Sequence, residues 1–121
     1  MNPVSYFEIP VLDLHRAIQF YSTVFGSKFE QASVDGNEMA FFLYDDALPG
    51  ASGALAQGDS YVPSQSGVRL YFDVTDIQQT IEHALSVGST LLYPITPVGE
   101  FGSVAEITDS EGNCIGLHAA P

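Results

Sequence analysis

Residues 11–18 read VLDLHRAI, and residues 74–81 read VTDIQQTI. The two stretches share the pattern V-x-D-(L/I)-x-x-x-I at an offset of 63 positions, from Asp13 to Asp76. A glycine closes each copy, at Gly26 and at Gly88. Self-similarity at a long fixed offset is typical of a duplicated supersecondary unit, so the chain is interpreted as two copies of one unit.

Each copy predicts an amphipathic helix whose two ends are marked. Asp13 and Asp76 are the expected N-caps, because a short carboxylate can accept from the free amides of a first helical turn. Apolar residues follow at helical spacing in both copies. Gly26 and Gly88 suit the left-handed conformation that ends many helices.

One strand is predicted before each helix and three strands after it. The expected ranges are 4–9, 28–34, 38–44 and 52–57 in the first copy, and 68–74, 90–93, 103–108 and 113–118 in the second. Turn sequences separate neighbouring strands: DGN at 35–37 and DSEG at 109–112. The order β-α-β-β-β, repeated once, predicts an α+β fold with a curved mixed sheet around a cleft and the helices outside.

The whole chain, residues 1–121, is expected to be one domain. Module 1 covers residues 1–57, a polar linker covers 58–67, and module 2 covers 68–121. A length of 121 residues is usual for one domain that needs no disulfide or metal to fold.

Charge narrows the range of partners. The formal net charge is −12, and the only basic residues besides histidine are Arg16, Lys28 and Arg69. Such a surface repels phosphate backbones and anionic membranes, so we expect no nucleic-acid or membrane partner. No segment reads as a leader or a membrane span, and the lone Cys114 cannot form an internal disulfide. We expect a cytoplasmic protein in which Cys114 is a small core residue.

Strand phase predicts a polar cleft. Successive side chains of a strand alternate between its two faces, and the helices must cover the apolar face. The opposite faces should then line a common concavity. The residues predicted to share it are Tyr6, Glu8, Arg69, Tyr71, Glu106 and His118.

Three segments resemble a known family. They are FEIPVLDL at 7–14 with its continuation to VFG at 24–26, PVGEFG at 97–102, and DSEGNCIGL at 109–117. In order and spacing they resemble the glyoxalase/bleomycin-resistance/dioxygenase (vicinal oxygen chelate) superfamily. The resemblance implies paired βαβββ modules around a cleft. In metal-dependent members it also implies one divalent ion held by His, Glu or Gln side chains of both halves.

The family's metal-ligand positions carry other residues in this chain. The resemblance places them at Tyr6, Arg69 and Gly116, with a fourth in the strand around 53–57, which offers no carboxylate or imidazole. A fixed guanidinium repels a cation and cannot be deprotonated. We therefore expect no metal cofactor, which argues against glyoxalase, ring-cleaving dioxygenase and thiol-transferase activities.

The leading functional hypothesis is a protein similar to the bleomycin-resistance members that binds a small organic molecule in the cleft. Arg69 would attract an anionic group, if the ligand has one, beside Glu106. The walls would come from Tyr6, Tyr71 and Phe101. The resemblance also implies a homodimer, since family members with one paired unit usually dimerise.

Two alternatives stay open. One is a lyase, isomerase or epimerase that uses Glu8 and His118 as an acid–base pair, or as a displaced metal site with Glu106. The other is a structural or interaction module without a ligand, in which hydrogen bonds satisfy the polar residues and Arg69 neutralises a carboxylate. The sequence does not name the ligand, because a fold alone does not define a function.

Overall fold

The computed structural model describes residues 1–121 and follows the predicted order twice. Module 1 contains β1 (Tyr6–Val11), α1 (Leu14–Phe25), β2 (Phe29–Val34), β3 (Asn37–Phe42) and β4 (Ser52–Gln57). Module 2 contains β5 (Tyr71–Asp73), α2 (Ile77–Ser86), β6 (Leu91–Pro97), β7 (Ser103–Thr108) and β8 (Cys114–Ala119). A single 3-10 turn, Gly99–Phe101, lies between β6 and β7. The predicted α+β class is confirmed.

The strands form two four-stranded mixed sheets, in the orders β1-β4-β3-β2 and β5-β8-β7-β6. In each sheet the first strand pairs parallel with the last, and the other pairs are antiparallel. No ladder joins β1 to β5, so the expected curved sheet is divided at the boundary between the modules.

Strand β5 is shorter than predicted, covering 71–73 instead of 68–74. The amide of Gly116 still donates to the carbonyl of Leu70, but the amide of Cys114 donates to Ser64 of the linker. Ser64 of the linker therefore accepts from the amide of Cys114, which a longer β5 would otherwise pair with. Arg69, predicted within the strand, lies just ahead of it.

Helix ends follow the predicted chemistry closely. The Asp13 side chain accepts from the Arg16 amide, and the Asp76 side chain accepts from the Gln79 amide. Gly26, at φ 69°, ends α1 in the left-handed conformation. The second helix ends slightly earlier than predicted, because Val87 is its C-cap and Gly88 follows with φ 93°.

One apolar core contains residues of both modules. The two helices contribute fully buried alanines, Ala17 and Ala84, and the sheets contribute buried side chains such as Leu55, Ile107 and Leu117. No helix of the structure is both long enough and apolar enough to cross a membrane.

The turn between β7 and β8 makes contacts that its sequence did not predict. Asp109, Glu111 and Asn113 are buried polar residues. The hydroxyl of Tyr21 in α1 donates to Asp109 at 2.7 Å, and Asn113 donates to the carbonyl of Pro10 at 2.8 Å. No buried side-chain nitrogen or oxygen lacks a hydrogen-bond partner. The segment between β7 and β8, which the sequence predicted only as a turn, therefore joins the two modules.

Candidate functional site

Strand register places those predicted site residues that lie in strands on the sheet faces turned away from the core. In β1, Tyr6 and Glu8 alternate with the buried Ile9 and Val11. In module 2, the register aligns Tyr71, Gly116 and Glu106 across β5, β8 and β7. A second row of the same face holds Asp73 and His118. The alternation predicted from the sequence is present in both modules.

Glu8 is held by two tyrosines, and the three residues form the Glu8 cluster. The hydroxyl of Tyr6 donates to Oε2 of Glu8 at 3.0 Å, and that of Tyr61 donates to Oε1 at 2.7 Å. Burial, followed by the hydrogen bond to Glu8, raises the pKa of Tyr6 to about 12. The hydrogen bond to Glu8, followed by burial, raises the pKa of Tyr61. Both hydroxyls are therefore donors at neutral pH.

Tyr61 comes from the linker and was not predicted as a site residue. It packs beside Met39, Ala54 and Ala56, which are buried on the same face of the module 1 sheet. A signal was available: Tyr61 is the one aromatic residue in the polar segment 58–67. Pattern rules that treat such a segment as a solvated linker overlook it.

Arg69, Glu106 and Cys114 form the Arg69 cluster. Nη1 of Arg69 lies 3.1 Å from Oε2 of Glu106, and the side chains are 40% and 19% exposed. Sγ of Cys114 donates to Oε1 of Glu106 at 3.7 Å. Because a carboxylate neutralises it, Arg69 is not a free positive charge.

Cys114 is buried, as expected of a small core residue, but it does not belong to either packed apolar cluster. Ile115 and Leu117 take the core-facing positions of β8, so Cys114 is buried on the polar face. Burial, the largest influence, raises the pKa of Cys114 even though the Arg69 guanidinium opposes this. The side chain is therefore a thiol at neutral pH.

His118 joins the turn at 99–101 to strand β5, and His118, Asp73 and Phe101 form the His118 cluster. Nδ1 of His118 lies 2.7 Å from Oδ1 of Asp73, and Nε2 contacts the carbonyl of Phe101. The hydrogen bond to Asp73, followed by that to Phe101, raises the pKa of His118. Protonation is favoured because the imidazolium can donate from both nitrogens. Phe101 as a whole residue is 69% exposed.

The structure brings some predicted residues together and separates others. Tyr6 contacts Glu8, and Arg69 contacts Glu106. No hydrogen bond or ion pair joins Glu8 to His118, which bind partners in different clusters.

The residues at the family's metal positions do not fit a divalent ion. A Cβ added at Gly116 would lie 2.5 Å from Cδ1 of Tyr71, so the tyrosine ring occupies the space of a ligand side chain. The guanidinium of Arg69 lies at the second position and is paired with Glu106. No group of three or more His, Cys, Asp or Glu side chains is arranged to hold a metal ion.

A cavity of about 290 Å³ lies where the linker crosses between the modules, and we name it the linker pocket. Its walls include Pro10, Val62, Val68, Leu70 and Cys114 together with Glu8. Glu8 is the one charged residue that lines it. The pocket therefore combines residues of β1, the linker and module 2, among them one acidic residue.

Comparison with known proteins identifies the class. The sequence profile of the Glyoxalase/Bleomycin resistance protein/Dioxygenase superfamily matches residues 4–117. This protein belongs to that superfamily.

Individual relatives agree with this assignment. A glyoxylase-like domain-containing protein of Didymella fabae is 31% identical over 123 residues, covering 98% of this chain and 94% of that protein. The crystal structure of a glyoxylase/bleomycin resistance protein/dioxygenase domain from Frankia sp. EAN1pec superposes with a TM-score of 0.76 at 18% identity, covering 100% of this chain and 93% of that one. The fosfomycin resistance protein FosX of Listeria monocytogenes gives 0.75 at 20% identity, with coverage of 100% and 93%. At these identities the two structures show a common fold.

Proposed function

We propose that this protein is a metal-independent member of the superfamily that binds a small organic molecule in the cleft between its modules. The observation that carries the proposal is the linker pocket, a cavity lined by both modules. Small-molecule sites commonly are apolar concavities with a few placed polar groups. The Tyr71 ring over Gly116 and the guanidinium of Arg69 support a metal-independent function.

The hypothesis that Arg69 attracts an anionic group does not fix the charge of the ligand. Arg69 is already paired with Glu106, so an anionic ligand must compete with that carboxylate for the guanidinium. An anion at Arg69 remains part of the proposal, with Tyr71 two positions further along the chain.

The acid–base alternative has less support. Each carboxylate oxygen of Glu8 already accepts from a tyrosine hydroxyl, and His118 is engaged at both ring nitrogens. A general acid and base must reach the same substrate. The separation of these two residues into different clusters favours binding over catalysis.

We also propose a cytoplasmic homodimer. Strand β6 is one of the two edge strands of its sheet and exposes apolar residues, among them Leu91, Leu92, Tyr93 and Ile95. An apolar strand edge is a surface that another chain can cover. Light scattering should give the mass of two chains, and a concentration-independent mass of one chain would contradict the dimer.

The binding proposal is tested on protein purified from a cell extract without added ligand. Native mass spectrometry should show an added mass of a small organic molecule that is lost on denaturation. Elemental analysis should give less than about 0.1 divalent ion per chain. About one tightly held ion per chain, whose removal by a chelator lowers the melting temperature, would contradict metal independence.

A further inference from the structure

The charge inside the linker pocket is unbalanced. Glu8 is its only charged lining residue, so no Lys, Arg or His faces the cavity. Arg69, which stands between the lining residues Val68 and Leu70 but does not line the pocket itself, is paired with Glu106. The whole chain carries a formal charge of −12, and such a field concentrates small cations near the surface.

The carboxylate of Glu8 is oriented without losing its charge. A carboxylate offers about four acceptor sites, and the hydroxyls of Tyr6 and Tyr61 occupy one on each oxygen. Both tyrosines have raised pKa values and act as neutral donors, so the negative charge stays uncompensated. Acceptor sites remain on both oxygens for a further donor.

The other lining residues and the size of the cavity indicate how large and how apolar the ligand is. Pro10, Val62, Val68 and Leu70 line the same cavity as Glu8 and give it apolar walls. The volume of about 290 Å³ is near the lower end of the range for small-molecule pockets. The complementary ligand is compact and apolar, with one positively charged donor at its edge.

We propose that the linker pocket binds a small organic cation, a protonated amine on an apolar body, whose ammonium group donates to Glu8. This inference rests on the proposed function and replaces its anionic expectation for this pocket. It needs no covalent step, and recognition is the charge-assisted hydrogen bond between ammonium and carboxylate.

The test compares three probes that share one ring and differ in charge. They are 2-phenylethylamine, which is cationic at pH 7, the neutral 2-phenylethanol, and the anionic phenylacetate. Each is titrated into the isotopically labelled 121-residue protein, with amide shifts read by NMR. The amine should shift the amides of Gly67, Val68 and Cys114 and should bind about tenfold more tightly than the alcohol. Added salt should weaken the amine more than the alcohol.

Two variants with the same change in net charge provide the control. Glu8→Gln should lower the affinity for the amine about tenfold and leave that for the alcohol unchanged. Glu38→Gln removes an exposed carboxylate of β3 that bonds Ser33 and does not line the pocket, and it should change amine affinity less than twofold. Matching melting temperatures and spectra would show that both variants fold.

The outcomes separate this inference from the proposed function. Equal binding of amine and alcohol, or tighter binding of phenylacetate, would overturn the cation assignment and leave a small-molecule cleft intact. An equal loss of amine affinity in both variants would overturn the role of Glu8. No pocket shift from any probe up to about 10 mM would overturn the inference and count against the binding cleft as well.

Discussion

The carboxylate of Glu111 accepts two hydrogen bonds from the guanidinium of Arg16, 95 residues earlier in the chain, at 2.8 and 2.9 Å. The same carboxylate accepts from the amides of Leu12 and Asp13 at the start of α1. It therefore links the last hairpin of module 2 to the first helix of module 1. The side chain of Glu111 has no exposed surface, and that of Arg16 is half exposed.

This link predicts acid sensitivity. Burial, the largest single influence, would raise the pKa of Glu111, but the hydrogen bonds from Arg16, Ser110 and the two amides outweigh it and lower the pKa from 4.5 to about 2. A lowered folded-state pKa gives stability that is present above the unfolded value and lost as pH falls through the folded value. Glu111 should therefore stabilise the fold above pH 4.5 and lose this contribution between pH 4.5 and about 2.

Glu111→Gln should lower the free energy of unfolding by about 2 kcal/mol at pH 7, because it weakens charge-assisted hydrogen bonds. The difference from wild type should shrink below pH 4.5. Urea denaturation across this range measures both effects. Glu82→Gln, on the exposed side of α2, is the matched control. A difference between wild type and Glu111→Gln that stays constant down to pH 2 would contradict the assignment.

The packing of Tyr71 on Gly116 predicts a non-additive pair. Gly116→Ala places a Cβ 2.5 Å from the tyrosine ring and should cost about 1 kcal/mol, because the half-exposed ring must move. In a Tyr71→Ala background the same substitution should cost nothing or stabilise. A double-mutant cycle by urea denaturation measures the coupling. Additivity within about 0.3 kcal/mol would show that the ring does not occupy this position.

The His118 cluster predicts a pH-dependent turn. The pKa of His118 is raised, so its contribution is complete below the unfolded value of 6.5 and is lost as pH rises through the folded value. Hydrogen exchange of the amides at 99–102, corrected for intrinsic rates, should show less protection at alkaline pH. Asp73→Asn removes the strongest influence and should lower the pKa of His118, as read from its ring protons by NMR. An unchanged His118 titration in Asp73→Asn would disprove the pairing.

Substitution of Arg69 should have different effects if the Arg69–Glu106 pair is structural and if it is an anion site. If the pair is structural, Arg69→Ala should cost about 1 kcal/mol, because Glu106 is left mostly buried without its counter-charge. Glu106→Gln in that background should then restore part of the loss. If the pair is an anion site, Arg69→Ala should abolish thermal stabilisation by small carboxylates or phosphonates while changing the melting temperature little. Thermal shifts of wild type and both variants against such a panel decide between the two.

Local sequence determined the elements of this fold, because caps, turns and periodicity act over a few residues. Asp13 and Gly26 mark the ends of α1 as predicted, and the DGN turn forms with positive φ at Asp35 and Gly36. Strand alternation likewise assigned Glu8 and Glu106 to the polar faces. These properties depend on backbone geometry that neighbouring residues impose.

The tertiary structure alone decided which polar residues meet, because their partners are distant in the chain. Glu8 binds Tyr61 from the linker, 53 positions away, and His118 binds Asp73, 45 positions away. The alternation of residues along a strand gives the face of a side chain but not its neighbour across a module boundary. It also cannot show that Ser64 of the linker ends the pairing of β5 with β8. The separation of Glu8 from His118 follows from how two modules pack around one core, a long-range outcome that no local pattern encodes.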